Sequence, residues 1–92
     1  MNTNIITIAY IGDPSSNEHK ENIIKSGLSL GYIGWDGKGD IKTLTINNLK
    51  NQYKKFNFKP NINDKFLIFI DKNKSIEITY EDLREEDGNR TN

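Results

Sequence analysis

Asp36 and Asp40 flank the turn Gly37-Lys38-Gly39. Two carboxylates four residues apart are the residue types of a general acid–base pair or a divalent-cation clamp. Aspartates in a glycine-rich turn also bond their own backbone, and nothing in the spacing brings this pair together. A second candidate is Gly12-Asp13-Pro14-Ser15-Ser16, read as a loop between a strand and a helix, where backbone N–H groups and the helix dipole favour an anion. It lacks both the GxxxxGK[ST] and the GxGxxG pattern, and Asp13 would repel a phosphate. His19, the sole histidine, reads as a surface residue in a first helical turn. There is no cysteine, so neither a disulfide framework nor a zinc–thiolate site can form, and no EF-hand spacing is present. The expectation is a chain with no catalytic residues, no metal and no cofactor.

Aromatic residues offer a better signal. Gly31 to Ile41 holds the only tryptophan and four of the seven glycines. Tyr32 and Trp35 are an odd number of positions apart, so in an unbroken strand they face opposite sides of a sheet. One ring is then core and the other is free to stack, for example on a nucleobase, an interaction worth about 1–3 kcal/mol.

The elements that must position these groups follow from pattern. Ile5 to Ile11 is β-branched and aromatic and is bounded by Gly12-Asp13-Pro14, which predicts a strand. Ser15, Ser16 and Asn17 favour a helix N-cap, and Gly27 a stop, so a helix is expected over Asn17 to Ser26, burying Ile23 and Ile24. Leu28 to Trp35 reads as a second strand. Thr43 or Thr45 is expected to cap a second helix reaching Tyr53, with Ile46, Leu49 and Tyr53 on one face. Phe56 and Phe58 interrupt a polar connection. Lys65 to Asp71, KFLIFID, is the strongest strand signal, and its continuous apolar run predicts burial on both faces. Asp71 to Lys74 turns into Ser75 to Tyr80, a strand whose alternation marks one exposed face. One helical turn at most is expected after Glu81. Residues 1–87 read as a single domain, and 88–92 as a disordered tail.

At 92 residues there is room for one small core. Lys+Arg and Asp+Glu are both 13, which argues against a non-specific nucleic-acid coat, since that requires clustered cations to release counterions. Lysines gather in Lys50 to Lys59 and acids in Glu77 to Asp87. No apolar stretch approaches the roughly 20 residues needed to span a bilayer, and no leader pattern is seen, so a cytoplasmic location is expected.

The order strand, Ser/Asn-rich loop, helix, Gly-Tyr-Ile-Gly-Trp-Asp and Gly-Lys-Gly-Asp-Ile resembles the first half of the PUA-like EVE domains, relatives of the YTH readers, as found in McrB-type and Mrr-type restriction proteins. Asn63 to Ile68 resembles their later apolar strand. The resemblance covers roughly Ile5 to Ile70. It implies a modified-base reader that holds an extruded nucleotide in an aromatic pocket. Carried over, Trp35 resembles the pocket or pocket-floor aromatic, and Asp36 lies beside it. Ser16 and Asn17 resemble the loop that meets the base edge, and Lys38 and Lys42 are placed to meet phosphates.

The expected fold is thus α+β, a small mixed sheet or a partial PUA-like β-barrel with two helices. The expected function is a non-catalytic module that binds a modified base in DNA, as the reader part of a restriction system. The alternative is a small protein-binding protein, such as a phage-encoded inhibitor of a host defence system, for which an exposed apolar patch would speak. A third class is a nucleotide-binding or hydrolytic protein using Gly12 to Asn17 as a phosphate loop.

Overall fold

The computed structural model describes residues 4–13 and 16–84, and the tail expected at 88–92 lies outside them. The element order is β1 (Asn4–Tyr10), α1 (Asn17–Ser26), β2 (Leu30–Trp35), α2 (Ile41–Lys55), β3 (Lys65–Asp71), β4 (Lys74–Thr79) and α3 (Tyr80–Leu83). The fold is α+β. Its sheet is open, runs in the order β2-β1-β3-β4, and is antiparallel at every pairing.

Alternation along the strands assigns the two faces. Ile6 and Ile8 of β1, Phe66 and Ile68 of β3 and Ile78 of β4 are buried, with Tyr10, Ile33 and Ile76 packed against them. The helices close this face through Ile23 of α1, Leu49 and Tyr53 of α2, and Leu83 of α3, which join the same cluster. The odd-numbered side chains of β1 and β3 project from the other face, because strand side chains alternate. Leu67 there is half-buried and Phe69 is exposed. KFLIFID is therefore buried on one face, not both: among the described residues no second layer covers Leu67 and Phe69.

Local chemistry sets the helix ends. Ser16 caps α1 by accepting from the His19 backbone N–H at 3.1 Å, and Gly27 ends it in the left-handed conformation at φ 83°. Ile23 is buried as expected, whereas Ile24 is exposed. Helix α2 starts earlier than the threonines suggest. Asp40 is its cap, accepting from the Lys42 N–H at 3.0 Å and the Thr43 hydroxyl at 2.8 Å. Thr45 instead donates back to the Ile41 carbonyl within the helix and is fully buried. The buried stripe is accordingly Ile41, Thr45, Leu49 and Tyr53, and Ile46 is only partly buried.

The far end of α2 is a Schellman motif. Asn57 is left-handed at φ 59°, its N–H donates to Lys54, and the Phe58 N–H donates to Tyr53. The accompanying apolar contact is present, with the Phe58 and Tyr53 ring centroids 5.0 Å apart. This wraps the polar connection onto the core and delivers the chain to Asp64, at the entrance to β3.

Candidate functional site

The most concentrated chemistry surrounds Asp64, whose side chain is wholly buried. Its Oδ1 accepts from the Tyr10 hydroxyl at 2.8 Å and lies 2.9 Å from His19 Nε2. Its Oδ2 accepts from the Tyr53 hydroxyl at 2.6 Å and the Asn61 backbone N–H at 2.9 Å, with His19 Nε2 at 3.1 Å. A carboxylate partner requires the proton on Nε2. The carboxyl thus joins β1, α1, α2 and the turn before β3. Burial raises the pKa of both tyrosines well above the ordinary phenol value, and the hydrogen bond to Asp64 reinforces this, because it favours the neutral hydroxyl as donor.

With every lone-pair direction of Asp64 occupied, the group is a poor general base and a poor metal ligand. Its arrangement is that of a satisfied buried polar network, which fixes a unique packing. Among the described residues no three His, Cys, Asp or Glu side chains group as a metal-ligand set. His19 is a correction to its reading as a surface residue: its side chain is only 11% exposed, drawn inward by Asp64.

Gly12 belongs to the same corner. A Cβ there would lie 2.1 Å from the Asn63 carbonyl oxygen and 2.8 Å from the Lys65 backbone nitrogen, so only glycine lets the chain after β1 cross the turn before β3. The Ile11 N–H then reaches the Lys65 carbonyl at 2.7 Å. Packing of backbone on backbone is thus a sufficient reason for glycine here.

The residues expected to read a base fall into separate places. Ser16 and Asn17 start α1 at the Asp64 end of the sheet. Trp35 pairs with Asn4, at the opposite end of β1 from Tyr10. Those two ends are roughly 20 Å apart at the usual strand rise. Trp35, Asp36 and Lys38 do come together: Trp35 Nε1 donates to the Lys38 carbonyl at 2.7 Å, and the Lys38 N–H donates to Asp36 at 2.9 Å. The Trp35 ring packs partly on the core. Asp36 and Asp40 each serve their local backbone, and hydrogen bonding by Thr43 holds the Asp40 carboxyl below its usual range. Lys42 lies 3.8 Å from Asp82.

Tyr32 projects from the open face and is 62% exposed. Thr7 of the central strand β1 is the partner of both Tyr32 on β2 and Phe69 on β3. The two rings therefore flank Thr7 in one row, roughly 10 Å apart at the usual strand spacing. Leu30 and Ile5 extend this surface, 54% and 67% exposed. Its cation Lys65 lies 3.2 Å from Glu77. The sequence placed Tyr32 on a different face from Trp35, but the row itself depends on strand order, which local pattern does not reveal.

No family model matches the chain, and no match is found among curated proteins or solved structures.

Proposed function

We propose that the protein is a non-catalytic recognition module that binds a protein partner through the open face of its sheet. The observation that carries this reading is the row Tyr32–Thr7–Phe69, extended by Leu30 and Ile5 into an exposed apolar surface. Contiguous apolar surface of this kind is characteristic of protein contacts, and exposed aromatic rings are the usual anchors. The charge on the face agrees with such a partner, since Lys65 is paired with Glu77 and leaves little to draw in a phosphate backbone. A cytoplasmic partner within a host defence system, with this chain as its inhibitor, is the specific form of the proposal. Among the described residues no helix is long and apolar enough to cross a membrane.

The test is affinity capture with the full chain and with a Tyr32→Ser/Phe69→Ser double variant. A partner bound through this face is retained by the parent chain and loses at least about tenfold in affinity with the double variant, a loss typical of two anchor residues. Equal retention by both chains would end the proposal.

The second reading is the modified-base reader, with Trp35 and Asp36 as its pocket and Lys38 at the phosphates. It is favoured by the mutual contact of these three residues. Titration of Trp35 fluorescence with matched unmodified and methylated DNA duplexes tests it. Quenching by methylated DNA alone, lost in Trp35→Ala with the fold intact, would replace the protein-partner reading with this one.

A further inference from the structure

From Ile41 to Asn63 the sequence contains five lysines and no aspartate or glutamate, in a chain whose formal net charge is zero. Two of the five are occupied. Lys42 faces Asp82 at 3.8 Å, and the Lys55 ammonium sits 5.6 Å above the Phe56 ring. The other three, Lys50, Lys54 and Lys59, line one cavity of about 210 Å³, together with Tyr53, Phe58 and Pro60. Among the described residues none of these three lysines forms an ion pair.

We propose that this cavity binds a nucleotide, with the phosphate between the three ammonium groups and the planar base against Phe58. Helix energetics account for only part of the lysine cluster. Cations in a last turn offset the helix dipole, which covers Lys54 and Lys55. Lys50 lies one turn earlier, on the same side of the helix as Lys54, and Lys59 lies beyond the helix end. The Schellman turn is what makes a site of them. By reversing the chain at Asn57 it sets Phe58 against Tyr53 and brings Lys59 back toward the helix. The result is a concave surface with an apolar wall and a rim of one charge.

The ligand class follows from charge and size. Three cations that form no ion pair among the described residues suit a phosphate group, whose several oxygens can each meet an ammonium, better than a single carboxylate, and an aromatic wall suits a flat, polarisable ring, as in proteins that hold single strands by stacking and charge. The volume is below the roughly 300–1,000 Å³ of sites that enclose drug-sized ligands, so the site takes the phosphate and one face of a single base and leaves the rest of the nucleotide in solvent. That nucleotide is either a free nucleoside monophosphate or one residue of a single strand. The cavity belongs to the helical layer, away from the open sheet face, so its fate is independent of the protein-partner reading.

The experiment measures anisotropy of a fluorescein-labelled eight-residue thymidine oligonucleotide with the full chain at 50 and 200 mM salt. AMP, inorganic phosphate, the unlabelled oligonucleotide and an octaglutamate peptide serve as competitors. Binding is expected to weaken about two- to threefold between the two salts, as one phosphate contact on a single strand implies. Lys50→Gln/Lys54→Gln/Lys59→Gln is expected to lose at least tenfold in affinity. Lys20→Gln/Lys72→Gln/Lys74→Gln removes the same charge elsewhere and should stay within twofold of the parent. Competition by AMP identifies a free nucleotide as a ligand, and competition by unlabelled oligonucleotide without AMP identifies the strand; either supports the site. Equal losses in the two triple variants, octaglutamate competing as well as the oligonucleotide, phosphate competing as well as AMP, or no binding by the folded parent chain would each overturn it.

Discussion

The Tyr53 hydroxyl donates to Asp64 Oδ2 across 2.6 Å, and that bond joins the last turns of α2 to the entrance of β3. It is one of several donors on a wholly buried carboxyl, so its removal leaves the remaining network short rather than simply loosening a surface contact. Tyr53→Phe keeps the ring that packs on Phe58 and should destabilise the fold by about 1.5–3 kcal/mol, the range for hydrogen bonds to charged groups. Asp64→Ala strands both tyrosine hydroxyls and should cost on the order of 3–5 kcal/mol. Combined, the two changes should cost less than their sum, because the second removes a bond already lost. Urea unfolding followed by Trp35 fluorescence measures all three.

The same two tyrosines predict an alkaline limit to stability. The folded chain holds Tyr10 and Tyr53 protonated by burial and by donation to Asp64, whereas in the unfolded chain each ionises near pH 10. Below that value the contribution is fully present. Above it the unfolded state releases protons that the folded state keeps, so stability falls as pH rises. Asp40 has the opposite sign. Its folded carboxyl is held low chiefly by the Thr43 hydroxyl, so its contribution is present above about pH 4 and is lost as pH falls further. Denaturant midpoints across pH 3 to 11 should decline at both ends, and Tyr53→Phe should flatten the alkaline decline.

What could be read in advance was local. The Asn17–Ser26 helix with its serine cap and glycine stop, and the Lys65–Asp71 strand, depend on neighbours within a few residues. The Asp64 network was not legible because its partners Tyr10, His19 and Tyr53 lie 54, 45 and 11 positions away. Only Tyr53 carried a hint, as a member of the apolar stripe of α2 with a hydroxyl that burial obliges to find a partner. The open face is not legible in the sequence for a related reason. An apolar run such as KFLIFID reports what the chain is able to bury, and whether a layer exists to cover its second side is a property of the whole topology. The resemblance sets Asp36 beside Trp35, and the two meet through Lys38, while Ser16 and Asn17 stand at the far end of β1.

Gly12 is expected to resist any side chain. Alanine would press its methyl onto the Asn63 carbonyl, the Lys65 nitrogen and the Asp64 Cα, all of them backbone atoms that move only if the turn moves. Gly12→Ala should cost at least about 1–3 kcal/mol, the range for forced overpacking, and displacement of the turn should disturb the Asp64 bonds as well. If the glycine were instead selected for an anion loop, the alanine variant would keep its stability. Thermal unfolding of the variant separates the two cases.

Asn57 makes the converse test, at a position where glycine should be welcome. Its φ of 59° ends α2 in the left-handed region, where a Cβ is unfavourable and asparagine is the best tolerated residue after glycine. Asn57→Ala should lower stability by about 1–2 kcal/mol, since the helix must either keep the strained conformation or give up the Phe58–Tyr53 contact. Asn57→Gly should change stability by less than about 1 kcal/mol, the relief of strain being offset by the freer unfolded chain. The two variants also bear on the lysine-lined cavity, because the turn at Asn57 is what sets Phe58 and Lys59 relative to α2. Oligonucleotide binding should survive in the glycine variant and weaken in the alanine variant if the turn relaxes, so unfolding curves and anisotropy on the same pair of proteins tie the geometry of the helix end to the geometry of the site.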